Sequence, residues 1–243
     1  MQHTHDGLFA DNISITIRRK KVVRNVSLEV HPGEVVGILG PNGAGKTTCF
    51  HLISGLRLSE TGTIFLNGHD VTRLPLYRRS HLGLGFLPQE RSVFRGMSVE
   101  DNIRSIIEIH VTNRMARATQ LENILSEFGL LEVRKAQADT LSGGQSRRVE
   151  IARCIACNPK IVLLDEPFAG LDPIIMSNFQ KIVRYLKDRG LGVLITDHNI
   201  LETMKLVDRT YILINGEIVI AGTPEEVKQD DFVRESYLGE TYV

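Results

Sequence analysis

The sequence predicts an α/β fold: a parallel sheet with helices on its faces, an antiparallel β region before it, and an inserted helical block. Three observations carry this reading. The runs Val35-Val36-Gly37-Ile38-Leu39, Ile161-Val162-Leu163-Leu164 and Gly192-Val193-Leu194-Ile195 are continuously apolar, as strands buried on both faces must be. Between the last two, Ile175, Phe179, Ile182, Val183 and Leu186 recur three or four apart and form one apolar helix face, so strand, helix and strand follow in the order of a parallel unit. From Ser98 to about Asn158, Glu, Arg, Ile and Leu recur at helical spacing with few β-rich runs.

The flanking elements are read the same way. Ile13, Ile15 and Ile17 alternate with polar residues, as do Val26, Leu28 and Val30, with the basic run Arg18 to Lys21 between them; this predicts an antiparallel hairpin with a solvated turn. Tyr211 to Ile214 and Glu217 to Ile220 flank Asn215-Gly216, a two-residue hairpin turn. Thr223-Pro224-Glu225-Glu226 has the capping-box pattern with Pro at the first helical position, so a short helix is expected to start there.

Composition excludes several classes. The 243 residues carry 29 Lys and Arg against 29 Asp and Glu, so the chain has no surplus charge with which to hold nucleic acid. No apolar run approaches the roughly 18 residues that a membrane span needs. Met1 to Ala10 lacks a basic start followed by an apolar stretch, and three cysteines cannot build a disulfide framework, so the expected compartment is the cytosol. Cys154-x-x-Cys157 has no second pair and reads as two small helix residues rather than a metal or redox motif. Met176 fits the edge of a core helix, and His3 and His5 are given no role.

Gly40-Pro41-Asn42-Gly43-Ala44-Gly45-Lys46-Thr47, followed by Thr48, matches the phosphate-loop pattern and lies after a buried strand and before an apolar helix. Glycines let backbone N–H groups turn around phosphate oxygens, and the helix that follows adds the positive end of its dipole. Lys46 can reach the β- and γ-phosphates, and the Thr47 hydroxyl can sit on Mg²⁺. Asp165 ends a buried strand, where a carboxylate is costly unless it meets a cation, which suits a Mg²⁺ role. Glu166 follows it and is the candidate base for the attacking water.

Leu141-Ser142-Gly143-Gly144-Gln145 precedes an Arg-rich helix. At this point the sequence resembles the ATP-binding cassette (ABC) family. The phosphate loop, Gln89 in Leu87-Pro88-Gln89, this signature, Leu163-Leu164-Asp165-Glu166, Asp172 in Ala169-Gly170-Leu171-Asp172 and His198 in Thr196-Asp197-His198 all occur in family order. The resemblance implies a single domain over 1–243, a P-loop NTPase core: 1–88 hold the antiparallel β subdomain and the phosphate-loop part of the core, about 90–158 the inserted α-helical subdomain with the signature, and 159–243 the rest of the core.

It implies a homodimer in which each ATP lies between the phosphate loop of one copy and Ser142, Gly143, Gly144 and Gln145 of the other. His198 is then expected to position the γ-phosphate or water, Gln89 to sense Mg²⁺, and Asp172 to couple the two sites. The family's usual adenine-stacking aromatic falls at Ile17, so selection of ATP over GTP is left open.

Leu164 to Gly170, Leu191 to Asn199 and the ending Tyr237-Leu238-Gly239-Glu240 further resemble the ATPases of bacterial lipopolysaccharide export systems, with those of branched-chain amino-acid importers as the nearest alternative. The resemblance implies two transmembrane permease subunits (LptF/LptG-type), no nucleic acid, and peripheral attachment to the inner membrane through those partners. Ser92 to Ser98 offers Phe94 and Met97 as an apolar floor and Arg95 as a pairing charge for a short cytoplasmic permease helix. A DNA-repair cassette needs a long coiled-coil insertion between phosphate loop and signature, and no sustained heptads occur there.

Overall fold

The structure is a computed structural model and describes residues 6–169 and 172–233. His3 and His5, Gly170 and Leu171, and the ending Tyr237 to Glu240 lie outside the described residues.

The chain opens with the antiparallel pair β1 (Leu8–Ile17) and β2 (Lys20–Val30), then β3 (Val35–Leu39) and α1 (Lys46–Ser54). β4 (Thr61–Leu66), β5 (His69–Asp70), α2 (Leu76–His81) and β6 (Leu84–Leu87) follow. The helical block holds α3 (Val99–His110), α4 (Arg114–Glu127), a 3₁₀ turn (Ala138–Thr140) and α5 (Gly143–Ile155). β7 (Ile161–Asp165), α6 (Pro173–Asp188), β8 (Gly192–Thr196), α7 (Ile200–Met204), β9 (Arg209–Ile214), β10 (Glu217–Gly222), α8 (Pro224–Gln229) and α9 (Asp231–Val233) complete it.

One sheet has the order β2-β1-β4-β5 and the other β10-β9-β3-β8-β7-β6. In the second, β9, β3, β8, β7 and β6 are parallel and β10 returns antiparallel through Asn215-Gly216, both at positive φ. The continuous apolar runs are explained by cores on both faces of this sheet. Val36, Ile38, Ile161, Leu163 and Leu194 point toward α1 and the antiparallel sheet, while Val35, Val162, Leu164, Val193 and Ile195 point toward the helical block and α6. Alternation of period two therefore persists inside runs that show no polar residue.

The segment 61–87 carries strands that periodicity did not single out. β6 is short and interrupted by Gly85, where a Cβ would lie 2.6 Å from the Cys154 sulfur on α5. The close approach of α5 requires glycine at that point, and glycine weakens the strand signal. The helical block opens where the helical spacing begins. Ser98 caps α3, and 90–98 form a loop pinned by the buried Asn102, which accepts from Phe94 N and donates to the carbonyls of Phe94, Met97 and Ser98.

The two sheets are fastened at one edge by Arg209. Its guanidinium donates to both Glu34 carboxylate oxygens at 2.8 and 3.0 Å and to Glu29 Oε1 at 2.8 Å. The hydrogen bond from Arg209 holds the Glu29 carboxyl below its ordinary value of 4.5, so its stabilisation is present above that value and is lost as the pH falls through the folded-state pKa. We expect Arg209→Met to destabilise the chain by about 1 kcal/mol at pH 7, the scale of a partly exposed ion-pair network, and by less at pH 4. Urea unfolding at the two pH values measures the difference.

Candidate nucleotide site

The carboxyl ends of β3, β7 and β8 meet at the start of α1, the edge where open parallel sheets place their ligands. The loop 40–45 leaves β3 at Gly40, where a Cβ would lie 2.0 Å from the Leu213 carbonyl oxygen. Only glycine can pass there. The loop is braced from the β9–β10 turn, since Gly216 N donates to Ala44 O at 2.8 Å. No side chain caps the N-terminus of α1, so its leading amides have no side-chain acceptor, as an anion site requires.

Lys46 is buried, and its ammonium donates to the carbonyls of Gly40 at 2.7 Å and Pro41 at 3.1 Å. Burial lowers its pKa, against the opposing charges of Glu166, Asp197 and Asp165. Asp165 is also buried and accepts from the Thr196 hydroxyl at 2.8 Å. Burial pushes its pKa up, and this neutral hydroxyl offsets only part of that. A desolvated carboxylate of this kind fits a divalent cation. Among the described residues no group of three or more His, Cys, Asp or Glu forms a protein cage for one, so such a cation would share its shell with phosphate oxygens and water, as Mg²⁺ does.

Glu166 departs from ordinary backbone geometry, at φ +43°. Left-handed backbone at a residue with a side chain costs on the order of 1–3 kcal/mol and persists only where its surroundings enforce it. Here Glu166 N donates to Thr196 O at 2.9 Å, and Glu166 Oε2 accepts from Gln89 Nε2 at 2.7 Å. His198 is half exposed, with Nδ1 3.8 Å from the same Oε2. Gln89, Glu166 and His198 thus converge beside Lys46 and Asp165. Gln89, Gly143, Glu166 and Asp172 also line a common cleft of about 210 Å³.

Gly143 is the signature residue that lines this cleft, and no residue of the phosphate loop does. Ser142 caps α5 in a reciprocal box with Gln145, whose side-chain oxygen accepts from Ser142 N at 3.0 Å. Ser142 and Gly143 are exposed, and among the described residues no hydrogen bond or ion pair joins 142–145 to 40–48. Asp172 caps α6, accepting from the amides of Ile174 and Ile175. Ile17, at the end of β1, is half buried and packs on the core between the sheets.

Sequence reasoning gave Asp197 no role. It has no exposed surface and accepts from Phe168 N at 3.0 Å and Asn199 N at 2.8 Å, which ties the segment after Glu166 to the segment around His198. An acidic residue beside a histidine at a strand end was the available signal, and His198 Nδ1 does lie 3.6 Å from its Oδ1, but its hydrogen-bond donors are backbone amides, which leave no mark in a sequence. We expect Asp197→Ala to cost about 3 kcal/mol, the scale of hydrogen bonds to a buried charge, as read by urea unfolding.

A family model described as ABC transporter matches residues 23–169. The chain is 55% identical over 223 residues to a probable ABC transporter ATP-binding protein of Azorhizobium caulinodans, covering 92% of this chain and 79% of that one. It is 48% identical to the lipopolysaccharide export system ATP-binding protein LptB of Acidithiobacillus ferridurans and 46% identical to LptB of Escherichia coli K12, in both cases over 97% of this chain and 98% of the relative. The crystal structure of the ADP conformation of MJ1267, an ATP-binding cassette of an ABC transporter, superposes with a TM-score of 0.86 at 29% identity, covering 98% of this chain and all of that one. With the phosphate loop, the strained glutamate and the signature helix all in place on this fold, the chain belongs to the ABC transporter family, as an ATP-binding subunit that hydrolyses ATP.

Proposed function

We propose that this chain powers lipopolysaccharide export as a homodimer beneath two transmembrane permease subunits of LptF/LptG type, on the cytoplasmic face of the inner membrane. The observation that carries the reading is 46–48% identity over nearly the full length of proteins named for that system. No helix among the described residues is long and apolar enough to cross a membrane, so attachment falls to partner proteins. Residues 1–243 act as one cassette, with the helical block at about 90–158 between its two core portions. Co-purification of the chain with its membrane subunits, followed by identification of the lipid or amino acid they carry, tests the cargo.

The geometry supports a division of labour within the site. The loop 40–47, through its backbone amides other than at Pro41, holds the phosphates with Lys46 and Thr48, and the Lys46 charge faces the γ-phosphate. Thr47, Asp165 and Gln89 hold Mg²⁺, which when bound neutralises charge shared by the β- and γ-phosphates. Glu166 accepts a proton from the attacking water. Gln89 fixes its carboxylate, and His198 positions the γ-phosphate or the water.

Ser142, Gly143 and Gly144, with Gln145 fixing the cap, present the start of α5 to the nucleotide of a second copy. That exposed helix start, separated from its own phosphate loop, supports a composite site. Glu166→Gln removes the base and keeps the shape. We expect ATP hydrolysis to fall by at least about 10²-fold, the usual weight of a general base, and an ATP-bound dimer to accumulate in size-exclusion chromatography. Continued turnover would refute Glu166 as the base.

The loop Ser92 to Ser98 is the proposed seat of a permease helix. Phe94 is 49% exposed, with the Arg153 guanidinium 4.4 Å from its ring centroid, and Arg95 is exposed beside it. Glu150 accepts from Ser92 N at 2.8 Å and Arg153 donates to Ser92 O, so α5, which begins at the signature, also holds this loop. Met97 is half buried and forms less of the surface than Phe94. Phe94→Ala and Arg95→Ala are each expected to abolish transport by the full complex while leaving ATP hydrolysis of the isolated chain within about twofold, because surface truncations away from packed features rarely disturb the fold. Unchanged assembly and transport in both variants would remove the docking proposal.

A further inference from the structure

One buried cation has no part in the site described above. Arg79 on α2 has no exposed surface, and all four of its hydrogen bonds end on backbone carbonyls. Nε donates to Leu74 O at 2.8 Å, Nη1 to Leu52 O at 2.9 Å and Ile53 O at 2.6 Å, and Nη2 to Thr72 O at 3.3 Å. Burial pushes its pKa down to about 10, which leaves it charged at neutral pH. A buried charge is costly, and no carboxylate takes a hydrogen bond from this one.

The carbonyls that compensate it identify what it joins. Leu52 and Ile53 belong to the last turn of α1, the negative end of the helix whose opposite end carries Lys46 and the phosphate loop. Thr72 and Leu74 lie in the segment that leads into α2. The neighbours of Arg79 on α2, Leu76, Tyr77 and Ser80, line an apolar groove of about 560 Å³. Ile106 and Ile109 of α3 form its far wall, and Leu56, just beyond α1, lines it too. Tyr77 and Ile109 are 63% and 64% exposed.

We propose that Arg79 is a positioning residue that fixes the carboxyl end of α1 to the groove wall formed by α2, so that nucleotide bound at one end of α1 and the shape of the groove are coupled. A helix of nine residues, about two and a half turns, is stiff on the scale of its own length, and a shift at Lys46 reaches Leu52 and Ile53 with little loss. Coupling between binding sites is reciprocal, so whatever fills the groove alters nucleotide affinity by the same factor. The link from α1 to the groove does not rest on the docking reading above, whose residues Ser92 to Ser98 do not line this groove.

The chain contains no Trp, so Tyr77→Trp places a single fluorescent reporter on the groove wall of the full-length protein. Saturation with Mg-ADP is expected to shift its emission. Arg79→Lys in that background keeps the charge but has three donors on one nitrogen in place of the planar fork. It is expected to cut the response at least about twofold while nucleotide affinity stays within roughly threefold, a split that general destabilisation does not produce. An undiminished response in the Arg79→Lys protein, or none in the Tyr77→Trp protein saturated with nucleotide, would overturn the proposal. Hydrogen exchange on the unsubstituted chain is independent of any variant's folding. Mg-ADP is expected to slow exchange in 76–82 together with 46–54, and protection of 46–54 alone would contradict the coupling.

Discussion

Two opposite charges buried at the carboxyl edge of one sheet set the terms for the rest of this molecule. Lys46 and Asp165 are each desolvated, and neither has a hydrogen-bonded ion partner: the first is held by loop carbonyls, the second by a threonine hydroxyl. Groups kept this far from water are expensive in the free protein and become favourable only when a ligand brings the complementary charge. The surrounding architecture reads as the means of keeping them there. Cores on both faces fix the strands, the β9–β10 turn braces the phosphate loop, and the segments after β7 and β8 are tied together by Asp197.

The fold was legible where burial leaves a pattern. Strands β3, β7 and β8, the apolar face of α6, the two hairpins and the capped α8 all follow from apolar spacing and turn chemistry. The segment 61–87 was not, because its strands are short and Gly85 is dictated by the approach of Cys154 rather than by strand propensity. The loop before α3 is ordered by contacts that leave no periodic pattern. Its order comes from Asn102, one polar side chain that folds the loop over the helix start, and composition registers Asn102 as an ordinary helical residue.

In the site, residue types, spacing and the family resemblance named the candidate side chains, and the structure supplies their arrangement. Gln89 and Glu166 are 77 positions apart and meet at 2.7 Å, a contact that only the parallel order of β6 and β7 explains. The positive φ of Glu166 and the two amides on Asp197 are backbone facts with no sequence signature. The signature residues present the opposite case. Their type was plain, and within one chain Ser142 and Gln145 cap α5; in the proposed reading the start of that helix is offered to the nucleotide of another copy.

That last point is the central claim, and complementation tests it most directly. Lys46→Ala disables the phosphate loop and Ser142→Arg blocks the signature, so each protein alone should form only defective sites. In a mixed dimer, the intact loop of the second protein faces the intact signature of the first and restores one whole site. The expected result is ATP hydrolysis in the mixture that neither protein shows alone. Hydrolysis by the Ser142→Arg protein alone at the unsubstituted rate, or no recovery on mixing, would contradict a site shared between two chains.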